Sequence, residues 1–187
     1  LALGMQALVR TLSGRDDWHE PLEHALALEA RHGARDLDGC PTACAAEIHR
    51  LTLELEEARG ALSSMLARSL DHGDVRMEVW SRYGLAAVEI AAGRWDVAGE
   101  HAEELRDLAE QTGYLRLPAL RIAAHLALAT GDVPGARVLL AAVVAAAEPA
   151  GELHNLRGAL QLEGALELAL GEPGRAIESL RRARVIA

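Results

Sequence analysis

Between punctuating glycines, apolar residues recur along this chain at helical spacing, as in Leu85, Val88 and Ile90 with Ala92, or Leu105 and Leu108 with Ala109. Two sets of glycines break the pattern. The long stretches close at Gly33, Gly73, Gly113 and Gly151, spaced 40, 40 and 38 residues apart. The shorter turns carry Gly93, Gly131 and Gly171, and in each an alanine stands five residues on: Ala98, Ala136 and Ala176. Ala58 extends that register upstream. Glycine ends a helix by taking the left-handed conformation, and Asp, Glu or Pro just beyond it starts the next. Each period is therefore expected to be a helical hairpin. The pairs read 42–54 with 57–72, 75–92 with 95–112, 116–130 with 132–148, and 152–170 with 172–187. Residues 1–13 and 17–32 are expected to form a partial, atypical first pair, with Trp18 where the repeat alanine would stand.

A second register supports close packing inside each hairpin. Twelve residues before each repeat alanine is a small residue: Ala46, Ala86, Ala124 and Gly164. Four residues after it stand Leu62, Ala102, Leu140 and Leu180. Small residues at two fixed positions let paired helices approach, and the apolar one fills the seam. The pattern is similar to the tetratricopeptide repeat, whose small positions are also twelve apart; it lacks the large aromatics of that repeat and exceeds its 34-residue period. The expected fold is all-α: a right-handed α-solenoid of tetratricopeptide-like hairpins, with a concave inner face. As domains, residues 1–187 form one repeat array: an atypical pair at 1–33, then hairpins at 40–73, 74–113, 114–151 and 152–187.

Composition narrows the chemistry. Half of the 187 residues are hydrophobic, aromatics are scarce and Phe is absent, which is a poor supply for a sheet. All 19 basic residues are Arg; the missing Lys removes every Lys-dependent site, including a phosphate-binding P-loop and a Schiff base. A net charge of −9 argues against direct nucleic-acid binding. No apolar stretch approaches the ~20 residues of a membrane span, and Leu1–Val9 lacks the flanks of a signal peptide. The expected location is cytoplasmic. The chain opens on Leu1 and stops at Ala187 within an expected helix, as a piece of a longer protein would.

The strings Ala91-Ala92-Gly93-Arg94-Trp95-Asp96-Val97-Ala98 and Leu108-Ala109-Glu110-Gln111-Thr112-Gly113 resemble the helical-repeat region of large ATP-dependent LuxR-family regulators, the actinobacterial MalT-like proteins. So do Ala129-Thr130-Gly131-Asp132-Val133 and Glu167-Leu168-Ala169-Leu170-Gly171-Glu172-Pro173. In that family an ATPase module precedes the repeats, a DNA-binding helix-turn-helix follows them, and the repeats receive an inducer or partner protein. The resemblance implies a non-enzymatic regulatory domain whose partners are a protein, a peptide or a small effector, plus the ATPase and DNA-binding modules of the same parent chain. The competing reading is a free-standing tetratricopeptide scaffold or adaptor. The exposed end of such an array also offers a route to a homodimer.

No catalytic constellation is legible, so neither catalytic residues nor a cofactor is expected. His19 and His24 are five apart, about 140° around a helix, which does not suit a zinc pair. Cys40, Cys44 and His49 lack a fourth ligand and a recognised spacing, and the thiols read as structural. Carrying the tetratricopeptide groove positions onto the repeat alanines places a binding face on Glu47 and Arg50, on Trp80 and Tyr83, on Arg121 and His125, and on Gln161. Aromatics would supply contact area and Arg a carboxylate clamp. The competing role for Trp80 and Tyr83 is to plug the seam between repeats.

Overall fold

In the computed structural model, which describes residues 2–33 and 40–186, the glycines fall where helices end. Gly73, Gly113 and Gly151 are left-handed caps of three helices, and Gly33 also has positive φ. Among the described residues the chain is all-helical. The helices are α1 (Ala2–Leu12), α2 (His19–His32), α3 (Pro41–Leu51), α4 (Leu55–His72) and α5 (Val75–Ala91). They continue as α6 (Trp95–Thr112), α7 (Arg116–Ala129), α8 (Val133–Ala150), α9 (Leu153–Ala169) and α10 (Pro173–Val185). The expected starts at residue 1 and end at residue 187 lie outside the described residues.

Most boundaries shift from the expectation by one to three residues, and two of the shifts have a clear local reason. α3 stops at Leu51 rather than 54, because Leu53 turns to φ 63°. The turn still closes as its glycine counterparts do. The Glu54 N–H donates to the His49 carbonyl at 2.8 Å, as Asp132 does to Ala127 and Glu172 to Glu167. α8 runs past Glu148 and through Pro149 to Ala150. A proline in the last turn forfeits one hydrogen bond, and beyond it Gly151 and Glu152 donate to the Glu148 and Ala147 carbonyls at 3.3 and 3.0 Å. By length and composition α8 is apolar enough to cross a membrane. Here Ala136, Leu140 and Val143 pack with α7 and α9, and Ala147 shares a buried cluster with Leu156 and Leu160 of α9 and Ala183 of α10.

The chain divides into two compact units, residues 1–92 and 93–187, the division falling inside the expected hairpin 74–113. In the first, α3 packs on α1, α2, α4 and α5, and α4 on α5. In the second, α7 packs on α6, α8 and α9; α8 packs on α9, and α9 on α10. Odd-numbered helices thus touch the next odd-numbered helix within each unit: α1 with α3, α3 with α5, and α7 with α9.

The small positions sit where helices meet. Ala46 and Ala58 share a buried cluster with Leu62, Leu85 and Val88. Ala124 and Ala136 share another with Leu140, Val143, Ala159 and Leu166. At Gly84 the approach is closer still: a methyl group there would stand 2.5 Å from Leu62 Cδ2. Leu180, expected to fill a seam, lies against Gly164 yet stays exposed.

A longer recurrence joins the two units. Moving α4 and α5 forward by 78 residues reproduces the bounds of α8 and α9, Leu55–His72 becoming Val133–Ala150 and Val75–Ala91 becoming Leu153–Ala169. The cross-helix ion pairs recur with them. Arg59 of α4 reaches Glu89 of α5 at 2.6 Å, and Arg137 of α8 reaches Glu167 of α9 at 3.4 Å.

Candidate interaction face

The residues proposed from the sequence lie on odd-numbered helices, four in the first unit and three in the second. In the first unit, Glu47 and Arg50 lie one turn apart on α3. Arg50 grips Glu47 through two hydrogen bonds, Nη2 to Oε1 at 2.6 Å and Nε to Oε2 at 3.0 Å. The Glu47 carboxylate raises the Arg50 guanidinium above its ordinary value, against burial, which lowers it. The pair is thus already formed, and Arg50 carries less free positive charge than a clamp for a ligand carboxylate would need.

Trp80 and Tyr83 on α5 close around the same pair. With Glu47, Arg50, Leu62 and Gly84 they line a cavity of about 20 Å³, room for one water. Trp80 is half-buried and packs against two apolar clusters, one around Cys40, Ala43, Met65 and Met77 and one around Ala46, Leu62 and Leu85. Of the two roles open to Trp80 in the sequence, its contacts are those of the seam. Tyr83 is half-buried beside Arg50.

In the second unit, Arg121 and His125 sit one turn apart on α7. Burial, and next the neighbouring Arg121 charge, push the His125 imidazole below the ordinary histidine value. Arg121 lays its guanidinium over Gly158 of α9, filling the space that a larger residue there would need. Gln161 stands exposed one turn further along α9. The site residues therefore fall into a first group of four on α3 and α5 and a second group of three on α7 and α9.

The thiols and histidines have other engagements. Cys40 and Cys44 are buried, which pushes both thiols up, and Cys44 Sγ lies 3.8 Å from Met5 Sδ. His49 meets Glu54 (Nδ1 to Oε2 2.5 Å) and presents its ring edge-on to Trp18, whose other neighbour, His19, stacks at 3.6 Å. No group of three metal-ligating side chains stands together among the described residues.

No protein-family model matches this chain, and no curated protein matches it. The residues themselves carry the functional reading.

Reading by repeat landmarks alone passed over the most buried charges. The Glu89 side chain is 2% exposed and Arg59 25%, whereas Glu167 is 10% exposed and Arg137 51%. The available signal was an Arg just after a repeat alanine with a Glu thirty residues on, at 59 and 89 and again at 137 and 167. At the corresponding positions ahead of them stand His19 and His49, the rings flanking Trp18. Also missed was Glu29 of α2. Burial alone would raise its carboxyl, but hydrogen bonds from Arg68 (Nη1 2.7 Å) and from the Thr42 amide and hydroxyl (both 2.8 Å) hold it below the ordinary range. Nothing in the sequence marks a partner 39 residues away.

Proposed function

We propose that this chain is a non-enzymatic interaction module built of tetratricopeptide-like hairpins in a right-handed solenoid, acting as the regulatory region of an ATP-dependent LuxR-family transcription regulator. One observation carries the interaction reading: packing positions repeat while face positions vary. Ala58, Ala98, Ala136 and Ala176 are all fully buried or nearly so. On the odd-numbered helices, the half-buried or exposed groove positions instead run Tyr83, Arg121 and Gln161, then Glu47, Ala87, His125 and Ala165. A scaffold that holds its joints constant and changes its exposed chemistry from repeat to repeat suits recognition of an irregular partner.

The regulator reading rests on the resemblance of residues 91–98, 108–113, 129–133 and 167–173. Capture of a protein, peptide or small effector on the odd-helix face would favour one state of the parent and shift its equilibrium. In the first unit the α3–α5 residues would contribute aromatic contact; in the second, Arg121 and His125 would form a separate patch on α7. A transcription reporter driven by the parent protein tests this. Tyr83→Ala and Arg121→Ala should each lower inducer-dependent activation, measured well below each variant's melting midpoint and with helicity retained. Activation at the original level in both variants would remove the face from the mechanism. A coding sequence without an ATPase upstream and a helix-turn-helix downstream would remove the regulator.

A further inference from the structure

A second surface lies apart from the odd-helix residues, on α10 in the second unit. The joints of α4 with α5 and of α8 with α9 use the same three positions of the even-numbered helix, one, four and eight residues past its repeat alanine. In α4 these are Arg59, Leu62 and Leu66, and in α8 they are Arg137, Leu140 and Val144. Arg59 and Arg137 pair with Glu89 and Glu167. Leu62 lies against Gly84, five residues before Glu89. Val144 packs on the cluster that holds Leu160, seven residues before Glu167. Positions rise along one helix as they fall along the other, so the covering helix runs antiparallel and meets the face at a fixed register.

In α10 the same positions are Ile177, Leu180 and Arg184. Leu62 and Leu140 are 2% and 1% exposed, whereas Leu180 is 42% exposed and Ile177 50%. Leu180 rests on Gly164 of its own hairpin, and on its other side α10 meets no helix among the described residues. The face that α5 covers on α4, and α9 on α8, is open here. The two internal joints therefore show what kind of element fits it.

The side chains then set the chemistry of that element. Ile177 stands where α4 and α8 carry arginine, so a glutamate in the place of Glu89 or Glu167 would be buried without a partner. An apolar residue fits there instead. Leu180 keeps the leucine of the other joints and needs the small residue that Gly84 supplies to Leu62. Arg184 replaces Leu66 and Val144, with Arg181 exposed beside it. Arg182 points elsewhere, to Glu148 at 3.4 Å. Glu178, the one carboxylate of α10, lies about 100° around the helix from Ile177. An apolar pair flanked by two guanidinium groups, with no acidic residue between them, remains.

We propose that this face of α10 docks an amphipathic helix of a partner protein, antiparallel to α10, as α5 lies on α4 and α9 on α8. That helix carries an acidic residue against Arg184, a small residue two positions on against Leu180, and an apolar residue five positions further against Ile177. The contact is separate from the odd-helix residues and stands whether or not they bind an effector.

Residues 74–92, which contain α5, supply a probe with the register built in. As an acetylated and amidated peptide carrying Arg82→Glu and Glu89→Leu, with Gly84 between them, the segment presents the three matched residues. Titrated into the whole chain and followed by amide NMR, it should shift residues 177–184 and little outside α9 and α10. The peptide with Arg82→Glu alone keeps Glu89 and should bind about tenfold more weakly, its carboxylate buried against Ile177. The peptide with Glu89→Leu alone keeps Arg82 and should bind about fivefold more weakly, through like charges at Arg184. Ile177→Arg in the chain installs the arginine of α4 and α8 at an exposed position, so the fold persists and the order of the first two peptides reverses. Equal binding of the three peptides, an unchanged order with Ile177→Arg, shifts centred on α4, or no shift at about 1 mM probe would each overturn the proposal. So would self-association of the chain that Ile177→Arg abolishes, which gives the face to a second copy. Probe binding that is lost in a longer parent chain would overturn it as well, by giving the face to that chain's own next helix.

Discussion

The segment α3–α5 in the first unit and the segment α7–α9 in the second have the same plan and different fillings. Under the 78-residue shift, Ala43 corresponds to Arg121 and Trp80 to Gly158. In the first unit the small residue is on the earlier helix, and Trp80 of the later one packs against its cluster. In the second the sizes are exchanged: Arg121 of the earlier helix covers Gly158 of the later. One inter-helix space is filled from opposite sides. Helix spacing is thus a property of the pair, and neither position has a preferred size by itself.

The same comparison sorts strained from relaxed positions. Leu53 corresponds to Gly131, and Ser81 to Ala159. Ser81 is fully buried with no partner for its hydroxyl, whereas Ala159 buries only a methyl. At these two positions the first unit carries the exception and the second the residue that the local geometry favours. Exchanging residues between the units is therefore the way to test the correspondence.

The largest effect is expected at the size exchange. Trp80→Gly should cost about 4 kcal/mol, from lost ring packing and from glycine inside a helix. If the space is shared as described, Ala43→Arg should recover part of that loss in the double variant, although alone it destabilises by overpacking. Urea unfolding of the four proteins gives the coupling; strict additivity would break the correspondence.

The ion pairs come next. Arg59→Ala removes a guanidinium from a carboxylate that is almost fully buried, and should cost about 3 kcal/mol. Arg137→Ala removes a half-exposed partner and should cost less than about 1 kcal/mol. Equal losses would show that register, and not burial, sets the value of the pair.

Smaller and opposite in sign are the two relaxations. Leu53→Gly and Ser81→Ala should each stabilise the chain by roughly 1 kcal/mol, one by releasing a left-handed leucine and the other by removing an unsatisfied hydroxyl. Gly131→Leu should destabilise by a similar amount. Peptide-resolved hydrogen exchange would place each change in its own unit.

The smallest expected difference is in pH response. Glu29 and Glu54 are held below the ordinary carboxylate range, Glu54 chiefly by its hydrogen bond with His49. Their contribution is complete above that range and is lost as the pH falls through their lowered folded values. His125 is shifted down as well, but as a base it acts in a different window. Its unfolded form takes up a proton first, so stability falls as the pH drops from the ordinary histidine range toward the lowered folded value. Exchange in α7 should therefore accelerate at higher pH than exchange between α2 and α3. Glu29→Gln should flatten the acid loss in the first unit. Arg121→Gln should narrow the histidine window by easing the repulsion on His125.

Much of the helical layout was legible because glycine and alanine mark it chemically. A left-handed cap needs Gly73, Gly113 or Gly151, and a close crossing needs Ala58 or Ala136, so the landmarks recur wherever the geometry does. The limits of α6 were readable to the residue. The end of α3 was not, because Leu53 adopts a glycine conformation without being glycine. The proposed face was legible as positions on helices. Its contacts were not: Arg50 is paired with Glu47, and Trp80 reaches two clusters contributed by α3, α4 and α5.

The sequence alone determined that the chain would be helical, where its helices would turn and which small residues would sit at crossings, because those properties depend on neighbours in the chain. Tertiary structure decided which side of each space is filled, which charges lose water and which face of α10 stays uncovered. Those outcomes depend on side chains brought together from thirty or more residues away, as in Arg59 with Glu89 and Arg68 with Glu29, and each such pairing is fixed only when the helices pack.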